Sequence, residues 1–260
     1  MAARAGYPLR SLQAGGCPWA AQSDASLNPR ERGPSGEFID EYILRNGVIE
    51  FVKATSDDFD NLTFERIGSD GQVEFDCFVV DKISPYFQSI LHELSSNLTK
   101  HLKNYNGDLY YSGTTDNGKI AKELFLFLAD NSNSAHTEWG FNYSIRNGRD
   151  IYALGQLSYN ERSVASPSHK MLGANLDEVQ LHAHSHYDTD REHQNESMGI
   201  DNNGNVSTPY SDFQMAKNWA EENGGEMPFI NLIYFPELQE FLELNERGPE
   251  EYREIDFIQF

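Results

Sequence analysis

Cysteine is nearly absent from this chain of 260 residues. Cys17 and Cys77 are the only two and form no C-x-x-C pair, which excludes both a disulfide scaffold and a thiolate zinc site. Any metal must therefore be held by nitrogen and oxygen. Basic residues are also scarce: Lys+Arg 20 against Asp+Glu 41 gives a net charge of -21. Such a surface repels a phosphate backbone, so a nucleic-acid partner is disfavoured. No apolar run approaches the ~18 residues of a membrane-spanning helix, and the opening MAARAGYPLRSL lacks the continuous apolar core of a signal peptide. The expectation is a soluble chain with no membrane insertion, exported only if something else carries it. Several catalytic signatures are missing too: H-E-x-x-H, a phosphate loop and a G-x-S-x-G elbow. His136-Thr137-Glu138 matches the H-x-E of zinc deaminases, but no P-C-x-x-C accompanies it.

What is present falls into three parts. Residues 1–36 are rich in Gly, Pro, Ala and Arg and show neither helical nor strand periodicity, which predicts a disordered leader or the remnant of a preceding module. Residues 37–83 carry apolar-rich runs around Asn46-Gly47 and Asp70-Gly71, turn dipeptides that predict a β-hairpin meander. Residues 84–260 read as the main domain. Ser84 and Pro85 open a leucine stripe (Phe87, Ile90, Leu91, Leu94, Leu98, Leu102) that predicts one amphipathic helix, and a second helix is expected over 118–129. A hairpin around Asn147-Gly148, a strand over DEVQLHAHSH, a helix over TPYSDFQMAKNWAEENGG and a buried strand at PFINLIYFP follow. That order implies α+β, a mainly antiparallel sheet flanked by helices.

The chemistry lies in LHAHSHYDTD. Three of the chain's eight histidines, His182, His184 and His186, stand on alternate positions and so share one face of an extended strand. Asp212 falls in the first turn of the following helix, where a carboxylate is stabilised by the helix N-terminus. Glu138 follows a polar loop and starts a strand. Two histidines, one aspartate and a free glutamate are the donor set of a catalytic zinc with three N/O ligands and a nearby base. Asp188 and Asp190 are rivals to Asp212. His182 is either a third ligand or a hydrogen-bonded neighbour of the others. Asp201-Asn202-Asn203-Gly204 lacks the ligand alternation of a calcium loop and reads as a turn.

The order Glu138, then His184-Ser185-His186, then Asp212 resembles the signature of the JAB/MPN metallopeptidases (JAMM): a glutamate, a later H-S-H and an S-x-x-D. The context of Glu138-Trp139-Gly140, the DEYI hairpin and the polar leader are similar to JAB-like toxin domains of bacterial RHS-type polymorphic toxins. The resemblance implies a zinc-dependent peptidase or isopeptidase, with His184, His186 and Asp212 on the metal and Glu138 as general base and then proton donor. It also implies secretion or delivery into a target cell within a larger toxin, action in the cytosol on a protein or peptide, and a cognate immunity protein. Three departures stand out. Tyr187 replaces the family's proline, and the segment 187–208 is long enough to suggest a mobile loop over the site. Pro209 stands where the motif serine belongs, leaving Ser211 or Thr208 to supply the oxyanion donor. The alternatives are a non-catalytic binding module of the same family and, further off, a metal-dependent nuclease toxin.

Overall fold

The computed structural model describes residues 40–54, 59–67, 70–81, 89–96, 102–103, 109–132, 137–157, 174–187, 189–190, 192–208 and 211–251. The expected leader and the Ser84-Pro85 helix start lie outside them. Four strands, β1 (Asp40–Arg45), β2 (Val48–Ala54), β3 (Phe59–Ile67) and β4 (Val73–Asp81), form a sheet of order β2-β1-β3-β4. The turns behave as their dipeptides demand: Asn46 and Gly47 take φ 50° and 71°, the left-handed pair that a type I′ hairpin needs. The sheet is not a meander, because β1 pairs parallel with β3, so the chain crosses over β1 on leaving β2.

Among the described residues of the stripe expected to make a long helix over 84–105, the helix is α1 (Ile90–Leu94). Ile90, Leu91 and Leu94 are buried, but Ser95 turns extended and the Ser96 N–H donates to the carbonyl of Ile49 on β2. A sheet edge has captured the backbone that the helix needed. Beyond it come β5 (Leu102–Lys103) and β6 (Leu109–Thr115), then α2 (Gly118–Ser132), the second expected helix.

The larger sheet adds β7 (Trp139–Arg146), β8 (Arg149–Leu157), β9 (Val179–Ser185), β10 (Ile230–Phe235), β11 (Glu240–Asn245) and β12 (Gly248–Glu251) to β5 and β6, in the order β12-β11-β10-β9-β7-β8-β6-β5. Two further helices are α3 (Gln194–Ser197) and α4 (Asp212–Glu222). Among the described residues the balance is 47% strand to 22% helix. The expected α+β class is therefore corrected to a strand-dominated, mixed two-sheet fold. Two causes are identifiable: the described part of the leucine stripe is helical only over Ile90–Leu94, with Leu102 in a strand, and 109–115, 240–245 and 248–251 form strands beyond those expected.

α2 lies between the two sheets. Leu124, Phe125 and Leu128 share one continuous core with Tyr42, Leu44, Ile49 and Leu62 of the first sheet and Trp139, Phe141, Leu154 and Leu181 of the second. Among the described residues, the sheet over 40–81 thus shares this core and has none of its own. No helix of the described residues is long and apolar enough to cross a membrane. Phe125 is fully buried with its ring near those of Phe141 and Tyr234. Phe125→Ala is expected to cost about 3–5 kcal/mol through the cavity left behind. Urea unfolding should show one transition at a lower midpoint, whereas two separated transitions would mean that the sheets do not share this core.

Candidate metal centre

β9 is the central strand on which the site is built, antiparallel to β7 on one side and parallel to β10 on the other. Its alternation divides two tasks. Leu181 and Ala183 belong to the core beneath α2, while His182, His184 and His186 face α4, whose Trp219 ring stands edge-on to His182 at 5.9 Å. Parallel β9 and β10 are joined through α4, so the helix returns across the sheet and its N-terminus comes to the carboxyl end of β9. That places Asp212, the first residue of α4, beside the last histidines of the strand.

His184 Nε2 and His186 Nε2 are 3.1 Å apart; His186 Nε2 is 2.9 Å from Asp212 Oδ2, and His184 Nε2 is 3.5 Å from Asp212 Oδ1. Donors bound at ~2.0–2.1 Å around a tetrahedral zinc are separated by about 3.3 Å. The three edges bracket that value, so this donor set fits a small tetrahedral cation. The trio is the candidate metal-holding group found among the described residues. Both imidazoles are buried and Asp212 is nearly so. His184 Nδ1 is buried without a hydrogen-bond partner.

Of the rivals, Asp190 is exposed and engaged with His193 Nδ1 at 2.7 Å, and Asp188 lies outside the described residues. His182 does not join the trio. Its Nδ1 lies 2.7 Å from Asn142 Oδ1 on β7, the hydrogen-bonded neighbour of the two readings.

Glu138 sits one residue before β7. The β7–β9 register pairs Gly140 with His184, and the Trp139 N–H donates to Ser185 Oγ, which brings the start of β7 beside the His184-Ser185-His186 stretch. Burial raises the Glu138 pKa, the charges of His186 and His184 oppose that rise, and Asp212 reinforces it. Burial alone would lower His186, but Glu138 and the Asp212 hydrogen bond push it up to about 9. Burial likewise disfavours the Asp212 carboxylate, yet the two imidazoles hold it below the usual carboxylate range. The four groups thus form one electrostatic unit.

Ser211 is the N-cap of α4. Its Oγ accepts from the Gln214 N–H at 3.2 Å and donates to the Thr208 carbonyl at 3.0 Å. The S-x-x-Q spacing of a capping box was readable in the sequence and places the helix start three residues later than Thr208-Pro209 does. The segment expected as a loop over the site is instead a folded insert. It contains α3 and the Ile200–Val206 bridge, buries Met198 and Ile200 against Phe213, and accepts the Phe213 N–H at the Met198 carbonyl. Asp201 forms the turn read from the sequence, its Oδ1 accepting from Asn203 N and Asn205 N. Gly199, at φ +74°, is pressed on the helix start: a Cβ there would lie 2.0 Å from Ser211 Cβ.

Compared with family models, with curated proteins and with solved structures, the chain matches none.

Glu138 and Asp212 favour a proton on His186, and a cation held by the trio would compete with that proton. Zinc uptake at pH 7 is expected to release about one proton per chain. Calorimetry in buffers of different ionisation enthalpy reads this, and affinity should climb as pH rises toward 9; pH-independent affinity would contradict it. Gly199→Ala, by pushing the start of α4, is expected to weaken zinc binding about tenfold or more. Gly204→Ala is the control, since Gly204 has φ +79° and nothing within 4 Å of its missing Cβ.

Proposed function

We propose that the chain is a zinc-dependent hydrolase of amide bonds, a peptidase or isopeptidase of the JAMM type. The observation that carries this reading is the convergence of His184, His186 and Asp212 on distances suited to a tetrahedral ion, with a carboxyl of raised pKa beside them. His184, His186 and Asp212 would hold the metal. When bound, zinc supplies Lewis acidity toward a carbonyl oxygen and toward water.

Glu138 takes a proton from the attacking water as its oxygen bonds to the carbonyl carbon. It then returns that proton to the leaving nitrogen as the C–N bond breaks. A base whose pKa is raised toward the working pH is suited to both transfers. Asp212 at the helix start stays ionised, and Asn142 and Trp219 support the His182 ring behind His184. The resemblance to polymorphic-toxin domains supports a protein or peptide target in a recipient cell's cytosol, and a cognate immunity protein in the producer.

A second reading, a binding module without turnover, is favoured by one feature: the Ser211 hydroxyl is already committed to capping α4. It leaves the oxyanion donor without an assigned side chain. Metal analysis separates the readings. Zinc near one per chain is expected, lost in His184→Ala and Asp212→Ala. Glu138→Gln should keep zinc and lose hydrolysis of a peptide library by about 10²–10⁴-fold, the usual worth of a general base. Zinc bound without any hydrolysis by the parent chain would favour the binding module, and zinc lost with Glu138 would remove it from the role of base.

A further inference from the structure

The turn between β1 and β2 reaches the segment that carries Glu138. Gly47 is buried although Arg45 and Asn46 beside it are exposed. A Cβ at Gly47 would lie 2.2 Å from Thr137 Oγ1, 2.7 Å from Thr137 Cβ and 3.2 Å from Thr137 Cγ2. Glycine is thus required twice over, for its φ of +71° and for the space its missing side chain leaves to Thr137. The contact does not follow from the turn type. Another Asn-Gly hairpin turn, between β7 and β8, has nearly the same backbone, with Gly148 at φ +72°, and meets nothing within 4 Å.

Thr137 immediately precedes Glu138, and Trp139 immediately follows it. Trp139 is tied down twice: its N–H donates to Ser185 Oγ at 2.9 Å, within the His184-Ser185-His186 stretch, and its Nε1–H donates to Ser132 Oγ at 3.0 Å, at the end of α2. Glu138 is therefore held between a wall supplied by the first sheet and an anchor supplied by the second. Release of either would let its carboxyl move along the approach to the metal, where a displacement of ~1 Å costs about 10²-fold in rate.

We propose that the four-stranded sheet is a positioning element of the metal centre. Its Asn46-Gly47 turn, seated on Thr137, sets where the Glu138 carboxyl stands relative to His184, His186 and Asp212. This inference rests on the role proposed for Glu138. Gly47 and Thr137 are positioning residues, acting through Glu138 and touching no metal.

The two hairpins supply the experiment. Gly47→Ala and Gly148→Ala introduce the same backbone strain, but only the first meets Thr137. In ¹H–¹⁵N spectra of the full chain, Gly47→Ala is expected to shift the Glu138 and Trp139 amide signals more than Gly148→Ala does. The double variant Gly47→Ala/Thr137→Gly, which removes the atoms the new methyl would strike, should return them toward the parent. Should Gly47→Ala not fold, Thr137→Ala, which loosens the seat without straining the turn, should move the same signals. Equal shifts in the two hairpin variants, or unmoved signals in Thr137→Ala, would overturn the proposal.

Cobalt(II) loading then reads the consequence at the centre. Gly47→Ala and Thr137→Ala should change the visible absorption in the direction seen for Glu138→Gln, with cobalt still bound. A cobalt spectrum identical to the parent's would overturn the positioning role. A parent chain that takes up no cobalt would sink the metal reading alone, because the amide shifts decide the Gly47–Thr137 contact without any metal.

Discussion

Parallel pairing of β9 with β10 obliges the intervening chain to return across the sheet, and the helix that makes this return begins where β9 ends. From that constraint the centre follows. Alternate residues of an extended strand put His184 and His186 on one face, and the helix start brings Asp212 over the same face. The partial positive charge at the start of α4 steadies the carboxylate there. Antiparallel pairing on the other side of β9 sets Gly140 opposite His184, and Glu138, two residues earlier, interacts electrostatically with His184, His186 and Asp212. Three separate parts of the chain meet because one strand sits in the middle of the sheet with partners of both directions.

Electrostatics bind the four groups to each other as closely as the backbone does. Two carboxyls and two imidazoles gathered at one place favour only certain combinations of charge: the imidazoles hold Asp212 toward its carboxylate and the carboxyls favour a proton on His186, a proton with which a divalent ion would compete. The chain's general acidity is not what makes the centre. Asp190 and Asp201, both at the surface, spend their oxygens on His193 and on turn amides, as ordinary loop carboxylates do.

The parts of this architecture that could be read from the residues are those set by local chemistry. Asn46-Gly47 and Asn147-Gly148 adopt the backbone that their dipeptides prefer, α2 follows its apolar period, and the histidine alternation projects to one face. What could not be read is set by distant partners. The leucine stripe after residue 84 satisfies a helix on paper, but Ile90, Leu91 and Leu94 are buried by the core, and the amide of Ser96 is taken by β2. No local pattern announces that β1 and β3 run parallel, or that 109–115 would become a strand. Ser211 is an intermediate case. Its spacing to Gln214 suits a helix cap and its place near Asp212 suits a catalytic hydroxyl, and in the structure its oxygen caps α4.

β9 also places the centre late in the order of assembly. Hairpins β7–β8 and β1–β2 and the helix α2 join residues near in sequence, and such contacts close quickly, whereas the pairings of β9 link Gly140 with His184 and His184 with Ile233. The loop entropy of those pairings must be overcome before any two donors of the trio from different elements can meet. A metal ion therefore has no high-affinity landing place in the collapsing chain. An ion held by the trio would act on a finished sheet, drawing the population toward the native state by mass action without directing the route by which that state is reached.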